Sequence, residues 1–189
     1  MKKSVNLFSF IVLLFLSASV LKAQSADDMK KWADAMTPGE QQKGMAKMTG
    51  EWKFTSKFWM APGQEPVSNT GTARYEMLLG GRYQKVTASA SMMGMPYEGI
   101  GITGYNNVSK LFESSWVDNF RTGVMYMTGT MDDKGMITMT GSTVDPITGK
   151  IQMERQTIRP DGDNKYIMEI YDTKEGQSEV KVEEIIYER

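Results

Sequence analysis

The sequence of 189 residues contains no cysteine and no histidine. Without cysteine the chain can form no disulfide framework. Ser-His-Asp and Cys-His nucleophile systems are excluded as well, and so are zinc fingers, His-ligated zinc and haem held by His or Cys. Lysine and arginine total 22 against 23 acidic residues, so the formal charge is only −1. This balance argues against a general nucleic-acid binder.

The first 23 residues have the pattern of a targeting segment. Lys2 and Lys3 precede an apolar run at 7–16, which is typical of a secretory signal peptide cleaved after Ala23. The run is shorter than the ~20 apolar residues of a membrane span, so we expect cleavage rather than an uncleaved anchor. Without cysteine no bacterial lipid anchor can be attached. We therefore expect a periplasmic or secreted protein with no stable membrane anchor after cleavage.

Residues 24–49 form the convincingly helical part of the sequence. Apolar residues recur there at helical spacing, at Met29, Trp32, Ala33 and Met36. Ser25 is suited to cap this first helix. Thr37, Pro38 and Glu40 then fit the N-cap, N1 and N3 positions of a capping box that starts a second helix.

From Trp52 onward the pattern changes to strands. Turn residues recur regularly, and the segments between them are rich in Thr, Tyr, Val, Ile and Met, which predicts about ten strands. The predicted strands are 51–59, 69–79, 82–92, 95–105, 109–117, 122–131, 136–144, 150–159, 164–172 and 177–187. Short connections imply antiparallel neighbours.

An all-β, up-and-down antiparallel barrel over 50–189 is the fold that this pattern favours, because closure removes the exposed sheet edges. A β-sandwich is the alternative. The alternation of side chains shows which residues share a face of a strand, but it does not decide for every strand which face points inward. The sequence thus divides into a signal peptide (1–23), a short helical segment (24–49) and the barrel.

Several motifs together resemble one bacterial family. They are Pro38-Gly39-Glu40, Met45 to Trp52 with its Gly-x-Trp, Leu79 to Tyr83, Tyr97 to Gly101 followed by Gly104-Tyr105-Asn106, Trp116-Val117-Asp118, and Asp145 to Gly149. Over 38–187 the chain resembles the domain of unknown function 1579 family, a lipocalin-like (calycin-type) group. The resemblance supplies no activity. It implies a barrel that holds a small apolar ligand.

Two departures from the family pattern limit what can be carried over. The Gly-Tyr-Asp turn of the family ends in Asn106 here, and a histidine often found after Pro-Gly-Glu is replaced by Gln41 or Gln42. Neither of those family side chains can therefore be a required ligand or catalyst in this protein. In lipocalin-like proteins a basic residue packs over the tryptophan of Gly-x-Trp, which implies Arg189 or Arg155 above Trp52.

We expect the barrel to bind a small apolar or amphipathic molecule without a cofactor. Aromatic residues would contact the tail of the ligand, and Arg82 and Arg155 would orient a polar or anionic head. The candidate ligand-binding residues are Trp59, Tyr75, Arg82, Tyr97, Trp116, Asp118, Tyr126 and Arg155. For Arg82 an ion pair with Glu76 or Asp118 is the alternative.

Three other functions stay open at this point. The barrel could be filled by its own side chains and serve a structural or interaction role. It could be an enzyme that uses a carboxylate or tyrosine, although Glu76, Glu98, Glu113, Asp118 and Glu154 are candidates by residue type alone. Finally, Met92, Met93 and Met95, or Met125, Met127 and Met131, could hold Cu(I). Methionine is also an adaptable filler of cores and pockets, and we favour that interpretation.

Overall fold

A computed structural model describes residues 26–189, so the predicted signal peptide and the cap at Ser25 lie outside the described residues. Two helices precede ten strands. The elements are α1 (Ala26–Met36), α2 (Glu40–Ala46), β1 (Gly50–Phe58), β2 (Val67–Leu78), β3 (Tyr83–Met92), β4 (Met95–Asn106), β5 (Leu111–Asp118), β6 (Met125–Met131), β7 (Ile137–Val144), β8 (Ile151–Pro160), β9 (Lys165–Lys174) and β10 (Val180–Glu188).

The ten strands form a closed antiparallel barrel. Each strand pairs with the next in sequence, and β1 closes the ring by pairing with both β2 and β10. Every predicted strand overlaps an observed one, so the predicted ten-stranded up-and-down barrel is confirmed and the sandwich alternative is wrong. Tight turns make this topology possible. Gly80 and Gly81, for example, have φ of 67° and 85°, which glycine adopts without strain.

The barrel has two ends, which we call the helix end and the loop end. The helix end carries α2 and the connections at 79–82, 107–110, 132–136 and 161–164. The loop end carries the connections at 59–66, 93–94, 119–124, 145–150 and 175–179. Inward and outward side chains alternate along the strands between these ends, with one interruption on β10, where the register shifts between Lys181 and Glu183.

Helix α2 starts differently from the prediction. Gly39 is its N-cap, and the Gln42 side chain accepts a hydrogen bond from the Gly39 N–H at 2.8 Å. The predicted capping box of Thr37 and Glu40 is therefore wrong. Glu40 is exposed and pairs with Lys43 at 2.7 Å, whereas the buried Gln42 amide can cap the helix and bond the barrel at the same time.

The described chain divides into two compact units, one ending at Met36 and one spanning Thr37–Arg189. In the first unit, α1 is held by exposed ion pairs one turn apart, such as Lys30 with Asp34 at 2.6 Å. Its apolar side chains Met29, Trp32 and Met36 are each more than half exposed. Neither described helix is both long and apolar enough to cross a membrane.

Candidate functional site

A cavity of about 1780 Å³ occupies the interior of the barrel. It reaches from the 132–136 and 161–164 connections of the helix end to the 119–124 connection of the loop end. Small-molecule pockets usually measure about 300–1,000 Å³, so this space is ample for a ligand. Its walls differ in chemistry from one end to the other.

Aromatic and methionine side chains form the wall toward the helix end. Trp52 is 1% exposed there, and its indole N–H donates to the Met48 carbonyl at 2.7 Å. The guanidinium of Arg189 lies 4.5 Å from the centre of the Trp52 ring. The expectation of a basic residue over this tryptophan is thus confirmed for Arg189. Two apolar clusters continue from it. Their members that line the cavity are Met48, Phe54, Tyr75, Ala88 and Tyr187 of one and Met45, Phe112, Met125, Met127 and Met139 of the other. Met125 lies toward the loop end, as the register partner of Trp116.

Buried amides at the helix end are all hydrogen-bonded to the backbone. The Gln84 side-chain N–H donates to the Met45 carbonyl at 2.6 Å, and that of Gln42 donates to the Tyr105 carbonyl at 2.9 Å. Gln42 and Tyr105 lie in the two segments where the sequence departs from the family pattern. These bonds fasten α2 to β3 and β4, so Gln42 has a structural role here.

At the loop end, Trp116 and Asp118 share one face of β5, as their spacing predicts, and this face lines the cavity. The indole N–H of Trp116 donates to Asp118 Oδ2 at 3.0 Å, and Arg121 Nε lies 3.1 Å from the same oxygen. The Trp116 ring lies flat against glycine backbone on β4. A Cβ at Gly99 would come within 2.2 Å of the ring, and one at Gly101 within 2.8 Å. These glycines therefore set the position of the indole.

Three further carboxylates, Glu154, Asp172 and Glu183, line the same part of the cavity. Glu154 on β8 and Asp172 on β9 are direct register partners, so their side chains project inward side by side. Glu183 on β10 is paired with Ile170, which lies two residues from Asp172 on the same face. The result is an acidic patch on three adjacent strands.

Burial raises the pKa of each of these carboxyls. It raises the pKa of Glu183 to about 7 and that of Asp172 to about 6, and the neighbouring Glu154 carboxylate raises both further. The pKa of Glu154 is also raised, first by burial. Asp145, at the same end, behaves in the opposite way. Lys174 at 2.8 Å and two backbone N–H groups lower its pKa to about 2.

Two buried atoms beside the acidic patch lack a hydrogen-bond partner among the described residues: Ser56 Oγ and Asp172 Oδ1. Ser56 is 1% exposed and lines the cavity on β1. Asp172 Oδ2, in contrast, accepts from the Gln152 amide at 2.6 Å. An unpaired buried polar atom costs about 1–3 kcal/mol, so the pair marks a place where the fold is not optimised for stability.

Four of the eight predicted site residues lie on the cavity wall: Tyr75, Tyr97, Trp116 and Asp118. The structure places the other four outside the cavity, on the outer surface. Trp59 lies under Lys181 at 5.4 Å, Tyr126 is 68% exposed, and Arg82 is exposed in the β2–β3 turn, bonded to the Leu79 carbonyl.

Arg155, the last of these four, pairs with Glu179 through two bonds of 2.8 and 2.7 Å. Its guanidinium also lies 4.0 Å from the Tyr171 ring centre on the outer surface. The two acidic residues suggested as ion-pair partners of Arg82 are paired with other residues, Glu76 with Lys85 and Asp118 with Arg121. Neither arginine is positioned to orient a ligand head inside the barrel.

Sequence reasoning missed Ser56, Arg121, Asp172 and Glu183 as cavity residues, and it named Glu154 by type alone. The signal was present on β8, where 152, 154 and 156 alternate with 151, 153 and 155. The polar set faces inward there, while Ile151 and Met153 are exposed. The interior is partly polar, so the rule that apolar residues face inward selects the wrong face on this strand.

The two groups of methionines proposed as Cu(I) ligands lie apart from each other. Met92, Met93 and Met95 come together in the β3–β4 hairpin at the loop end, where Met92 and Met95 are register partners and Met93 and Met95 are half exposed. In the second group, Met125 begins β6 at the loop end and Met131 ends it at the helix end. Met125 and Met127 pack with Phe112 in an apolar cluster. Among residues 26–189, no group of three or more acidic side chains has the arrangement of a metal site.

Comparisons with known proteins fit this architecture. The model of the family described as "protein of unknown function (DUF1579)" matches residues 37–189. The crystal structure of Rv2717c from M. tuberculosis is similar in fold, with a TM-score of 0.60 and 15% identity, covering 81% of this chain and 99% of that one. At this identity the likeness concerns the fold alone. No curated protein matches the chain significantly.

Proposed function

We propose a function for a chain that belongs to the DUF1579 family of proteins of unknown function: the barrel binds a small amphipathic molecule in its interior. The observation that carries this proposal is the cavity of about 1780 Å³, which is lined by many apolar side chains and has a patch of carboxylates toward the loop end. This arrangement matches a ligand with one apolar and one polar part. A barrel filled by its own side chains would leave a void well below 300 Å³, so the volume argues against that alternative.

A matched pair of substitutions tests the proposal. Ala88 lies on the inner wall of the cavity, and its neighbour Thr87 faces outward and is exposed. We expect the wild type to bind the neutral fluorescent probe N-phenyl-1-naphthylamine. Ala88→Phe should weaken this binding at least tenfold, because the new ring occupies the cavity, whereas Thr87→Phe should leave it unchanged.

Fluorescence titration measures both affinities, and mass spectrometry of an organic extract of the purified protein identifies retained molecules. A wild type that binds no probe and releases no molecule on extraction would refute the proposal. An equal loss of affinity in both variants would also refute it, because the probe would then lie outside the barrel.

Export is the second part of the proposal. A signal peptide at 1–23 is predicted by the sequence and lies outside the described residues. N-terminal sequencing of protein recovered from the periplasm or medium of a bacterial host should begin at Gln24. Intact Met1 on protein found only in the cytoplasm would contradict export.

Catalysis is the second candidate function, favoured by the raised pKa values of Glu183 and Asp172 inside the cavity. A carboxyl that titrates near neutral pH is suited to general acid–base work. The test is incubation with the molecules extracted from the protein, followed by mass spectrometry of the products. Turnover that Glu183→Gln abolishes supports catalysis, whereas unchanged recovery of every molecule contradicts it.

A further inference from the structure

The charges at the loop end of the cavity are unbalanced. Asp118 is neutralised by Arg121 at 3.1 Å. The remaining three carboxyls of the wall, those of Glu154, Asp172 and Glu183, form no ion pair within the described part of the chain. Arg121 is the single basic side chain among the described residues that line this part of the cavity. An anionic head group would therefore meet a surface of its own sign.

The unpaired atoms lie where a head group would be held. Ser56 Oγ and Asp172 Oδ1 are both buried without a partner among residues 26–189. The Ser56 hydroxyl lies near the Glu183 carboxyl and lowers its pKa, but the two groups do not reach the geometry of a full hydrogen bond. A carboxylate oxygen can only accept a hydrogen bond, so Asp172 Oδ1 requires a donor. A ligand with N–H groups would supply one.

Aromatic rings also line the part of the cavity that holds these carboxyls. Trp116 and Tyr97 line the cavity beside Asp118, and Tyr97 packs edge-on against Phe120 with ring centres 5.3 Å apart. The face of an aromatic ring attracts a cation, most strongly for tryptophan. This part of the cavity therefore combines carboxylates, an unpaired hydrogen-bond acceptor and aromatic faces. Together they favour the binding of an ammonium head group over that of a carboxylate or a phosphate.

We propose that the ligand of this cavity is an amphipathic amine, with its ammonium group against Asp172, Glu183 and Ser56 and its apolar tail toward the methionine wall. The assignment rests on the proposed binding function and names its ligand class. It replaces the expectation of an anionic head held by Arg82 and Arg155. The tail would lie against Met127 and Met139, whose thioethers adapt to varied shapes.

Such a site binds its ligand more tightly as pH rises. Burial holds the Glu183 and Asp172 carboxyls partly protonated near neutral pH, with pKa values of about 7 and 6. An alkylamine stays charged from pH 5 to 8, as the pKa of lysine shows. The carboxyls ionise over this range, so attraction for the amine should increase. The charged and titratable groups that act on or with the three carboxyls are Asp118, Arg121, Lys174, Tyr97 and Tyr187.

Three probes of equal length separate the ligand class from the binding function: dodecylamine, dodecanol and dodecanoate, each below its micellar concentration. Displacement of N-phenyl-1-naphthylamine from the full mature chain measures their affinities at pH 5 and pH 8. We expect dodecylamine to bind at least tenfold more tightly than dodecanoate at pH 8, and this preference to shrink at pH 5. Dodecanol should show no pH dependence.

Two results overturn the amine while leaving the binding function intact: dodecanoate binding as tightly as dodecylamine, or displacement by none of the three from a protein that binds the fluorescent probe. Failure to bind the probe itself overturns both proposals. Displacement by micromolar Ca²⁺ or Mg²⁺ would assign the acidic wall to a metal ion and overturn the amine as well.

Isosteric variants locate the head group. Glu183→Gln and Asp172→Asn should each weaken dodecylamine at least fivefold and leave dodecanol unchanged. Glu98→Gln removes the same charge from an exposed position of β4 and serves as the matched control. Ser56→Ala should weaken dodecylamine while the melting temperature stays equal or rises, because an unpaired buried hydroxyl is removed. An unchanged dodecylamine affinity in all three cavity variants, with folded protein, contradicts the assignment.

Discussion

The two ends of the barrel differ in how completely their buried polar groups are hydrogen-bonded. At the helix end the Trp52 indole N–H and the Gln84 amide reach backbone carbonyls at 2.7 and 2.6 Å. At the loop end Ser56 Oγ and Asp172 Oδ1 are buried without a partner among the described residues. Cation placement differs too. Arg189 lies over Trp52 and also donates to the Thr49 carbonyl at 3.1 Å, whereas no cation within residues 26–189 is paired with the carboxyls of Glu183 and Glu154.

The difference separates the part of the barrel that stabilises the fold from the part to which we assign the head group of the proposed ligand. Hydrogen-bonded polar groups at the helix end contribute to stability and fix α2 on the strands. Unpaired groups lower stability, and they persist where the surrounding fold is strong enough to hold them. Substitutions at the helix end should therefore affect unfolding, and substitutions at the loop end should affect binding.

The largest expected effect is that of Trp52→Ala. Trp52 is fully buried beneath Arg189 and packs edge-on against Tyr166 at 5.3 Å, so its removal should lower the free energy of unfolding by about 3–5 kcal/mol. Trp116→Ala, at the half-buried tryptophan of the loop end, should cost distinctly less and weaken probe binding instead. Urea titrations followed by circular dichroism measure both. Equal destabilisation by the two substitutions would show that both ends contribute alike to stability.

The next largest effect is expected at Glu183, whose carboxyl should make the free energy of unfolding depend on pH. Its folded pKa of about 7 exceeds the ordinary value of 4.5, so between these values the folded state holds a proton that the unfolded state has lost. Stability from this group is therefore fully present below pH 4.5 and is lost as pH rises to 7. The loss is on the order of 3 kcal/mol.

The measurement is the difference in unfolding free energy between Glu183→Gln and the wild type at pH 4.5 and 8. The variant should gain on the wild type as pH rises, because the glutamine amide stays neutral. Glu98→Gln, at an exposed position, should show a constant difference. A pH-independent difference for Glu183→Gln would mean that the carboxyl is well solvated in the folded protein.

Most of the architecture could be predicted from the sequence, since strands and turns have local signatures. The turn residues, Gly80 and Gly81 among them, fixed the number of strands and the up-and-down order. Which face points inward could not be predicted on every strand. On β4, Gly99 and Gly101 face the cavity beneath Trp116 while Ile100 and Ile102 are 44% and 42% exposed. The two-residue period of a strand shows which residues share a face, but it does not show which face points into the barrel.

The candidate site was harder to predict for the same reason and for a second one. Glu154, Asp172 and Glu183 come from three strands, and their proximity depends on the register of β8, β9 and β10. Arginine is a common ligand of anions, and this is why Arg155 is predicted as a site residue. Its actual partner, Glu179, lies in the connection after β9, and no local pattern in the sequence links that connection to β8. Only Trp116 and Asp118, two residues apart on one strand, form a pair that spacing alone reveals.

Gln84→Ala tests the structural role of the helix end, and its expected effect on stability is smaller. The substitution leaves the Met45 carbonyl without its 2.6 Å bond in a buried place, so the free energy of unfolding should fall by about 1–2 kcal/mol. Ser56→Ala is the matched test at the loop end, where the free energy of unfolding should stay equal or rise. Chemical denaturation compares the two. A stabilising Gln84→Ala would show that the amide is as poorly placed as the Ser56 hydroxyl.

The smallest effect is expected on the outer surface, at Arg155. Its two bonds to Glu179 and its contact with Tyr171 are partly exposed to solvent, so Arg155→Ala should lower the free energy of unfolding by less than about 1 kcal/mol. Since the guanidinium lies outside the cavity, the affinity of Arg155→Ala for dodecylamine should stay within twofold of the wild-type value. The affinity of Glu183→Gln for dodecylamine, in contrast, should fall. Titration of both variants with the same amine makes the test direct. A large loss of affinity in Arg155→Ala would show that binding takes place on the outer wall, and the difference between the two ends would then not govern recognition.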